Sequence, residues 1–240
     1  MRVALIGYGK MGKALEKTLK EKGHSIGFIY ESHETIHPSD ELKSCDVAIE
    51  FTGPESAAYN LTFCAKQGIP VVSGTTGWLD QWSVIQDVQE KYQAKILYGS
   101  NFSLGVQLFL EAARHLAHLM KDRGDYELYL EETHHTEKKD APSGTAISLF
   151  QSLQQGNSSL KDWSLGTSKS KDNIRIKALR EASAIGNHKA IWEGEMDCIT
   201  LEHHAKSRQG FVLGAIDSAE WLLKQSNPGL YSVRDVLGLA

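Results

Sequence analysis

Cysteine, proline and long apolar runs are all scarce in this chain of 240 residues. The three cysteines, Cys45, Cys64 and Cys198, are odd in number and contain no Cys-x-x-Cys pair. That argues against a disulfide framework and for reduced thiols in a cytoplasmic protein. Five prolines and 41% apolar residues exclude a fibrous or low-complexity chain. The apolar part of the opening MRVALIGYGKMG is too short for a signal-peptide core or a membrane span, and no later stretch approaches spanning length. A positive excess is missing too. With 26 basic residues against 30 acidic ones, the interspersed charges sum to -4 and leave no footprint for nucleic acid. The expectation is a cytoplasmic globular protein of one or two domains, with no membrane or nucleic-acid partner.

What the chain does have is alternation. RVALIG is an almost continuous apolar run ending in glycine, the pattern of a strand buried on both faces. KALEKTLKEKG follows with helical spacing and a glycine stop. SIGFIYES, CDVAIEFT, IPVVSGTTG and AKILYGSN read as further strands, with helices predicted over PESAAYNLTFCAKQG and LDQWSVIQDVQEKYQ. Parallel neighbours need such helical crossovers, so the first half predicts an α/β doubly wound parallel sheet. After the long helix predicted within SNFSLGVQLFLEAARHLAHLM the grammar changes. YELYLEETHH sets Tyr126, Leu128 and Leu130 against Glu127, Tyr129 and Glu131, a half-buried strand. A helix over GTAISLFQSLQQG, three more strands at NIRIKALRE, HKAIWEGE and DCITLEHHA, and a closing helix complete the chain. These predict a domain of residues 1–103, to which 209–240 return, and a smaller α+β domain of 104–208 with a mostly antiparallel sheet. GTSKSKDN reads as a mobile loop, and no internal repeat is present.

Gly7-Tyr8-Gly9-Lys10-Met11-Gly12 is a Gly-x-Gly-x-x-Gly set between a predicted strand and a predicted helix. The bare pattern also suits a tight turn that binds nothing. In a dinucleotide site the first glycine makes the turn, the second admits a pyrophosphate and the third lets helix and strand pack closely. Glu31, at the end of the second predicted strand, suits the ribose hydroxyls of NAD and repels a 2′-phosphate. Ser32 and His33 follow it rather than arginine, which favours NADH, while Lys10 leaves NADPH open. The loops FTGPE, SGTTG and GSNFS end the next three strands, where open α/β sheets place their ligands.

A nicotinamide enzyme must also move a proton, and THHTEKKDAPSGTA has the groups for it. Helical or extended backbone alike would put His134 and Lys138 toward one side and His135 toward another. Histidine titrates near neutrality, and a second cation beside it eases proton donation. Pro142-Ser143-Gly144-Thr145 would open a helix whose N–H groups, with the Thr145 hydroxyl, suit a carboxylate. The plain alternatives are an exposed loop and ordinary helix capping. Metal binding by His134 and His135, or by His115 and His118, lacks a third ligand at a sensible spacing, so no metal is expected. His203, His204 and Arg208 raise the same question; Arg208 suits a second carboxylate or a surface acid.

HHTEKKDAPSGTA, with GYGKMG, EFTGPE, SGTTG, GSNFSLGV, IGNH and HHAKSR, closely resembles the dihydrodipicolinate reductase family over nearly the whole chain. The resemblance implies a Rossmann-type cofactor domain and a substrate domain whose sheet builds a homotetramer. It implies reduction of 4-hydroxy-tetrahydrodipicolinate, a dicarboxylate of the diaminopimelate and lysine route, by NADH or NADPH. By motif, His134 matches the proton donor and acceptor, Lys138 a second donor, and His135, Gly144 and Thr145 the substrate contacts. Gly7, Tyr8, Gly9, Lys10, Met11, Gly12, Glu31, Gly74, Thr75, Thr76, Gly99, Ser100, Asn101 and Phe102 fall on the family's cofactor segments. The glycine loop is one residue shorter than in many members, and Gly53 stands where many carry arginine. The strand before IGNH also differs in length. Another nicotinamide oxidoreductase of the same plan, or a non-catalytic NADH sensor, is the competing expectation. A semialdehyde dehydrogenase would need a cysteine beside a base, and a regulator a basic DNA-binding face; neither is visible.

Overall fold

The computed structural model describes residues 1–31, 36–167, 170 and 172–239. Ser32 and His33, and Ser168, Lys169 and Lys171 of the loop expected to be mobile, lie outside the described residues. The chain divides into two compact units, Met1–Ser103 with Gln209–Ala240, and Leu104–Arg208.

Unit 1 begins with β1 (Arg2–Ile6), α1 (Lys10–Glu21), β2 (Ser25–Tyr30), a short α2 (Asp40–Lys43), β3 (Val47–Glu50), α3 (Pro54–Lys66), β4 (Val71–Ser73), α4 (Trp82–Tyr92) and β5 (Lys95–Tyr98). Unit 2 carries α5 (Leu104–Met120), β6 (Tyr126–His134), α6 (Gly144–Gly156), β7 (Asp162–Leu165), β8 (Asn173–Arg180), β9 (Asn187–Gly194) and β10 (Cys198–His204). The chain then returns to unit 1 as α7 (Gln209–Leu223), β11 (Gly229–Ser232) and α8 (Val233–Val236).

The sheet of unit 1 runs β11-β5-β4-β3-β1-β2 with every pairing parallel. Alternate residues of β1 serve opposite layers. Val3 and Leu5 pack with Leu15 and Leu19 of α1 and Val212, Ile216 and Leu222 of α7. Ala4 and Ile6 pack with Leu61 of α3 and Ile85 of α4. Each buried Leu or Ile contributes about 1.5–3 kcal/mol. Because β1 pairs with β2 on one side and β3 on the other, the crossovers diverge at β1. Sheets with such a divergence take their ligands there, at the carboxyl ends of the diverging strands.

The sheet of unit 2 runs β10-β9-β6-β8-β7, with α5 and α6 packed on one face. Its strands were expected to pair mostly antiparallel; the sheet is mixed. β6 with β9 and β9 with β10 are antiparallel, whereas β6 with β8 and β7 with β8 are parallel. The helical crossover α6 returns the chain before β8, which lets β8 run parallel to β6. Two edge strands were not predicted. β7 (DWSL) and β11 (GLYS) are four residues each and lack an apolar alternation of useful length.

Candidate active site

In unit 1 the glycine loop joins β1 to α1 as predicted. Gly7 has φ 97°, and a Cβ there would sit 2.0 Å from the Phe51 carbonyl oxygen, so only glycine fits. Gly12 must also lack a side chain, since its Cβ would lie 2.3 Å from the Gly7 carbonyl oxygen. Gly9 differs: nothing lies within 4 Å of a Cβ built on it. It precedes α1 without a side-chain cap, which leaves open space over a helix N-terminus, as a pyrophosphate requires. Lys10 is exposed and Met11 half-buried. The Tyr8 hydroxyl donates to Glu16. That bond, burial and the charges of Glu16 and Glu31 push the Tyr8 phenol up, which places Glu31 near the loop.

The loops after β3 and β4 are tied together by Glu50, whose carboxylate is fully buried. It accepts from Ser73 Oγ at 2.6 Å, Thr75 Oγ1 at 2.8 Å, Thr52 N at 3.0 Å and Thr52 Oγ1. Gly74 abuts the Phe51 ring, and Thr76 is exposed beside buried Thr75. Gly99 is buried against Val233, and Ser100 is exposed. Asn101 accepts from Ser103 N, and the Phe102 ring is a core residue 5.9 Å from Phe51. These predicted cofactor residues therefore lie at the strand ends of one sheet, with the Phe102 ring buried in the core.

In unit 2 the register of the sheet assembles the second cluster. The inward face of β6 continues past Leu128 and Leu130 to Glu132 and His134. Glu132 lies opposite His188 of β9, and His134 opposite Arg180 of β8. His188 in turn lies opposite His203 of β10, whose ring is 5.9 Å from Phe109. Glu132 is 1% exposed and accepts the Ser143 N–H with both oxygens, at 3.2 and 3.0 Å. Ser143 caps α6 by accepting from Ala146 N at 3.2 Å, and its Oγ lies 3.1 Å from His188 Nε2. The helix thus starts at Gly144, which is exposed with nothing within 4 Å of a built Cβ. Thr145, half-buried, occupies the same first turn.

His134 and Lys138 are linked by a turn rather than by the helix or strand assumed from their spacing, with Lys138 N donating to the His135 carbonyl at 3.1 Å. Lys138 Nζ pairs with both oxygens of Asp140, at 2.8 and 2.7 Å. Arg180 donates to the Lys138 and Asp140 carbonyls and so pins this turn to β8. Burial pushes the His134 imidazole below its ordinary value; Glu132 and Asp140 oppose this, while Lys138 and Arg180 reinforce it. His188 is pushed down to about 3, by burial first and then by His134, His203 and Lys138. His135 is half-buried, with its Nδ1 lacking a hydrogen-bond partner among the described residues. Arg208 is exposed, as are His115 and His118.

Sequence reasoning missed Glu50, Glu132, Arg180 and His188. It also found no third ligand near His134, yet the fold brings donor atoms of Glu132, His134 and His188 within 4.8 Å of one another. A signal for Glu132 was present: a carboxylate on the inward register of an alternating strand. The others depend on pairing between distant strands, which no local spacing reveals.

Residues 1–102 match the family described as "Dihydrodipicolinate reductase, N-terminus", and residues 105–237 match its C-terminus. A 4-hydroxy-tetrahydrodipicolinate reductase of Christiangramia forsetii is 43% identical over 237 residues, covering 99% of this chain and 98% of its own. One from Methanopyrus kandleri is 35% identical over 241 residues, covering 95% of this chain and 86% of its own. Among solved structures, a dipicolinate-bound dihydrodipicolinate reductase from Paenisporosarcina sp. TG-14 shares the fold, with a TM-score of 0.77 and 23% identity over 97% of each chain. The fold extends to an amine dehydrogenase of Mycobacterium smegmatis, with a TM-score of 0.62 and 10% identity over 97% of this chain and 95% of that one. Both units are matched and a close relative aligns over nearly the whole length, so the chain belongs to the dihydrodipicolinate reductase family.

Proposed function

We propose that this protein reduces 4-hydroxy-tetrahydrodipicolinate to tetrahydrodipicolinate with NADH or NADPH and releases water, in diaminopimelate and lysine biosynthesis. The observation that carries the reading is one segment of unit 2. Between Glu132 and Thr145 it joins a buried imidazole, a turn lysine and a helix N-terminus, inside a chain 43% identical to a protein with that name. Unit 1 is the dinucleotide-binding domain and unit 2 the substrate and tetramerisation domain. The glycine loop fits a dinucleotide, because Gly7 and Gly12 leave no room for side chains and Gly9 leaves open space. When bound, the nicotinamide supplies the hydride.

The first turn of α6, at Gly144 and Thr145, receives one substrate carboxylate, and His135 is a further contact by its match to the family motif. Lys138 and Arg180 add positive charge, which offsets the dicarboxylate and the enamine-like charge that develops once the conjugated imine is reduced. His134 then delivers the proton to the adjacent carbon, with Lys138 as a second donor. No metal is needed for these steps. The Glu132 carboxylate already accepts the Ser143 N–H, and Arg180 Nη1 lies 3.6 Å from its Oε1, so its charge is partly offset by a protein cation. NADH is favoured over NADPH. Glu31 lies near the loop, and the Glu55 carboxylate comes within 2.4 Å of a Cβ built on Gly53, where many members carry arginine. Both acids repel an added phosphate. Homotetramer formation rests on family membership, and a cytoplasmic location on the free thiols of Cys45, Cys64 and Cys198.

The test is an absorbance assay at the nicotinamide band with enzymatically generated substrate, run with NADH and with NADPH. Absorbance falls in both, faster with NADH. Absence of any fall contradicts the reading, and a faster fall with NADPH contradicts the preference.

A further inference from the structure

Glu132 and Gly186 bracket the two nitrogens of the His134 ring. On one side, Nδ1 is buried, has no hydrogen-bond partner among the described residues, and lies 3.6 Å from Glu132 Oε2. On the other, a Cβ built on Gly186 would come 3.2 Å from Nε2 and 3.4 Å from Cδ2. Gly186 does not have the left-handed φ that would itself demand glycine. What the position needs is space, and the atom needing it most is His134 Nε2.

Resting on the assignment of His134 as proton donor, we infer that Glu132 is a positioning residue that holds a proton on Nδ1 and leaves Nε2, over Gly186, as the nitrogen that exchanges a proton with substrate. A carboxylate behind an imidazole fixes its tautomer and steadies the imidazolium, the division of labour seen in hydrolase triads. The separation of 3.6 Å is long for a hydrogen bond, and such contacts shorten when the substrate is bound. The surroundings make the carboxylate necessary. Lys138 on the turn and Arg180 on β8 oppose a charge on His134, as does burial, and the ring of His188 on β9 lies 5.1 Å away. Of the acids facing His134, Glu132 acts more strongly than Asp140. Glu132 is thus the main group opposing the loss of the His134 proton.

Glu132→Gln separates charge from architecture, because the amide oxygen still accepts the Ser143 N–H. The probe is long-range ¹H–¹⁵N correlation of the imidazoles in the intact protein, with His134 assigned by its loss in His134→Gln. The expected result is an Nδ1–H tautomer for neutral His134 and a titration midpoint lower by about one pH unit or more in Glu132→Gln. The matching limb of the kcat/KM profile moves by the same amount, while the KM for NADH stays. A purely structural role would lower the rate equally at all pH values without moving the midpoint. An Nε2–H tautomer or an unmoved midpoint overturns the inference. If Glu132→Gln does not fold, Glu132→Asp, which keeps the charge but withdraws it by one methylene, should shift the midpoint in the same direction; no shift overturns the inference. Gly186→Ala should lower kcat about 10-fold or more with NADH binding unchanged; a wild-type kcat removes the assignment of Nε2. His134→Gln with wild-type turnover would instead defeat the underlying reading of His134, so the two failures are distinguishable.

Discussion

Two buried carboxylates, one in each unit, sit near the carboxyl ends of their strands and do opposite work. Glu50 is surrounded by neutral donors, the hydroxyls of Ser73, Thr75 and Thr52 and one backbone N–H. Glu132 accepts one backbone N–H but faces three groups that carry or can acquire positive charge: His134 and Arg180 at 3.6 Å and His188 at 3.9 Å. Hydroxyls and amides solvate a carboxylate without changing charge as pH varies, so Glu50 ties together the loops after β3 and β4. Imidazoles do change charge, so the surroundings of Glu132 respond to protonation. In the proposed reading, the cofactor half is a frame of glycines and hydroxyls, and the proton-handling half is a titratable cluster.

The comparison is most easily broken at Glu50. Glu50→Ala leaves several buried donors without an acceptor and is expected to destabilise unit 1 by about 2–4 kcal/mol. NADH affinity should weaken as the loops after β3 and β4 separate, with little effect on the titration of His134. Denaturant unfolding and NADH titration check this. A fully stable Glu50→Ala would show that the hydroxyls do not depend on it. A smaller effect sharpens the other side. His188 has a folded value of about 3 against an ordinary 6.5, so the unfolded chain binds the extra proton below 6.5. Its contribution to stability is therefore complete above pH 6.5 and is lost as pH falls toward 3, at about 1.4 kcal/mol per pH unit. Between pH 7.5 and 5 the loss is about 2 kcal/mol, and His188→Gln should flatten the stability profile by that amount. An unchanged slope would show that His188 is not buried as a neutral ring.

Local requirements were readable in the chain, and distant ones were not. The turn at Gly7 to Gly12 could be read because its glycine spacing is contained within six residues, even though the space Gly7 needs is set by Phe51. His134, Lys138 and the start of α6 were readable because one continuous segment carries them. The tie from Glu132 to His188 and Arg180 exists only once β9 and β8 flank β6, a register that sequence spacing does not contain. For the same reason the parallel pairing of β6 with β8 was not foreseen, nor were the two short edge strands, β7 and β11, whose order comes from their neighbours.

The division between a frame that binds and a cluster that reacts is tested most directly by measuring NADH affinity and turnover together in a His134→Gln, Lys138→Ala double variant. Turnover is expected to fall about 10²–10⁴-fold while the NADH Kd stays within about 2-fold of wild type. Normal turnover, or an NADH affinity that collapses along with it, would contradict the account.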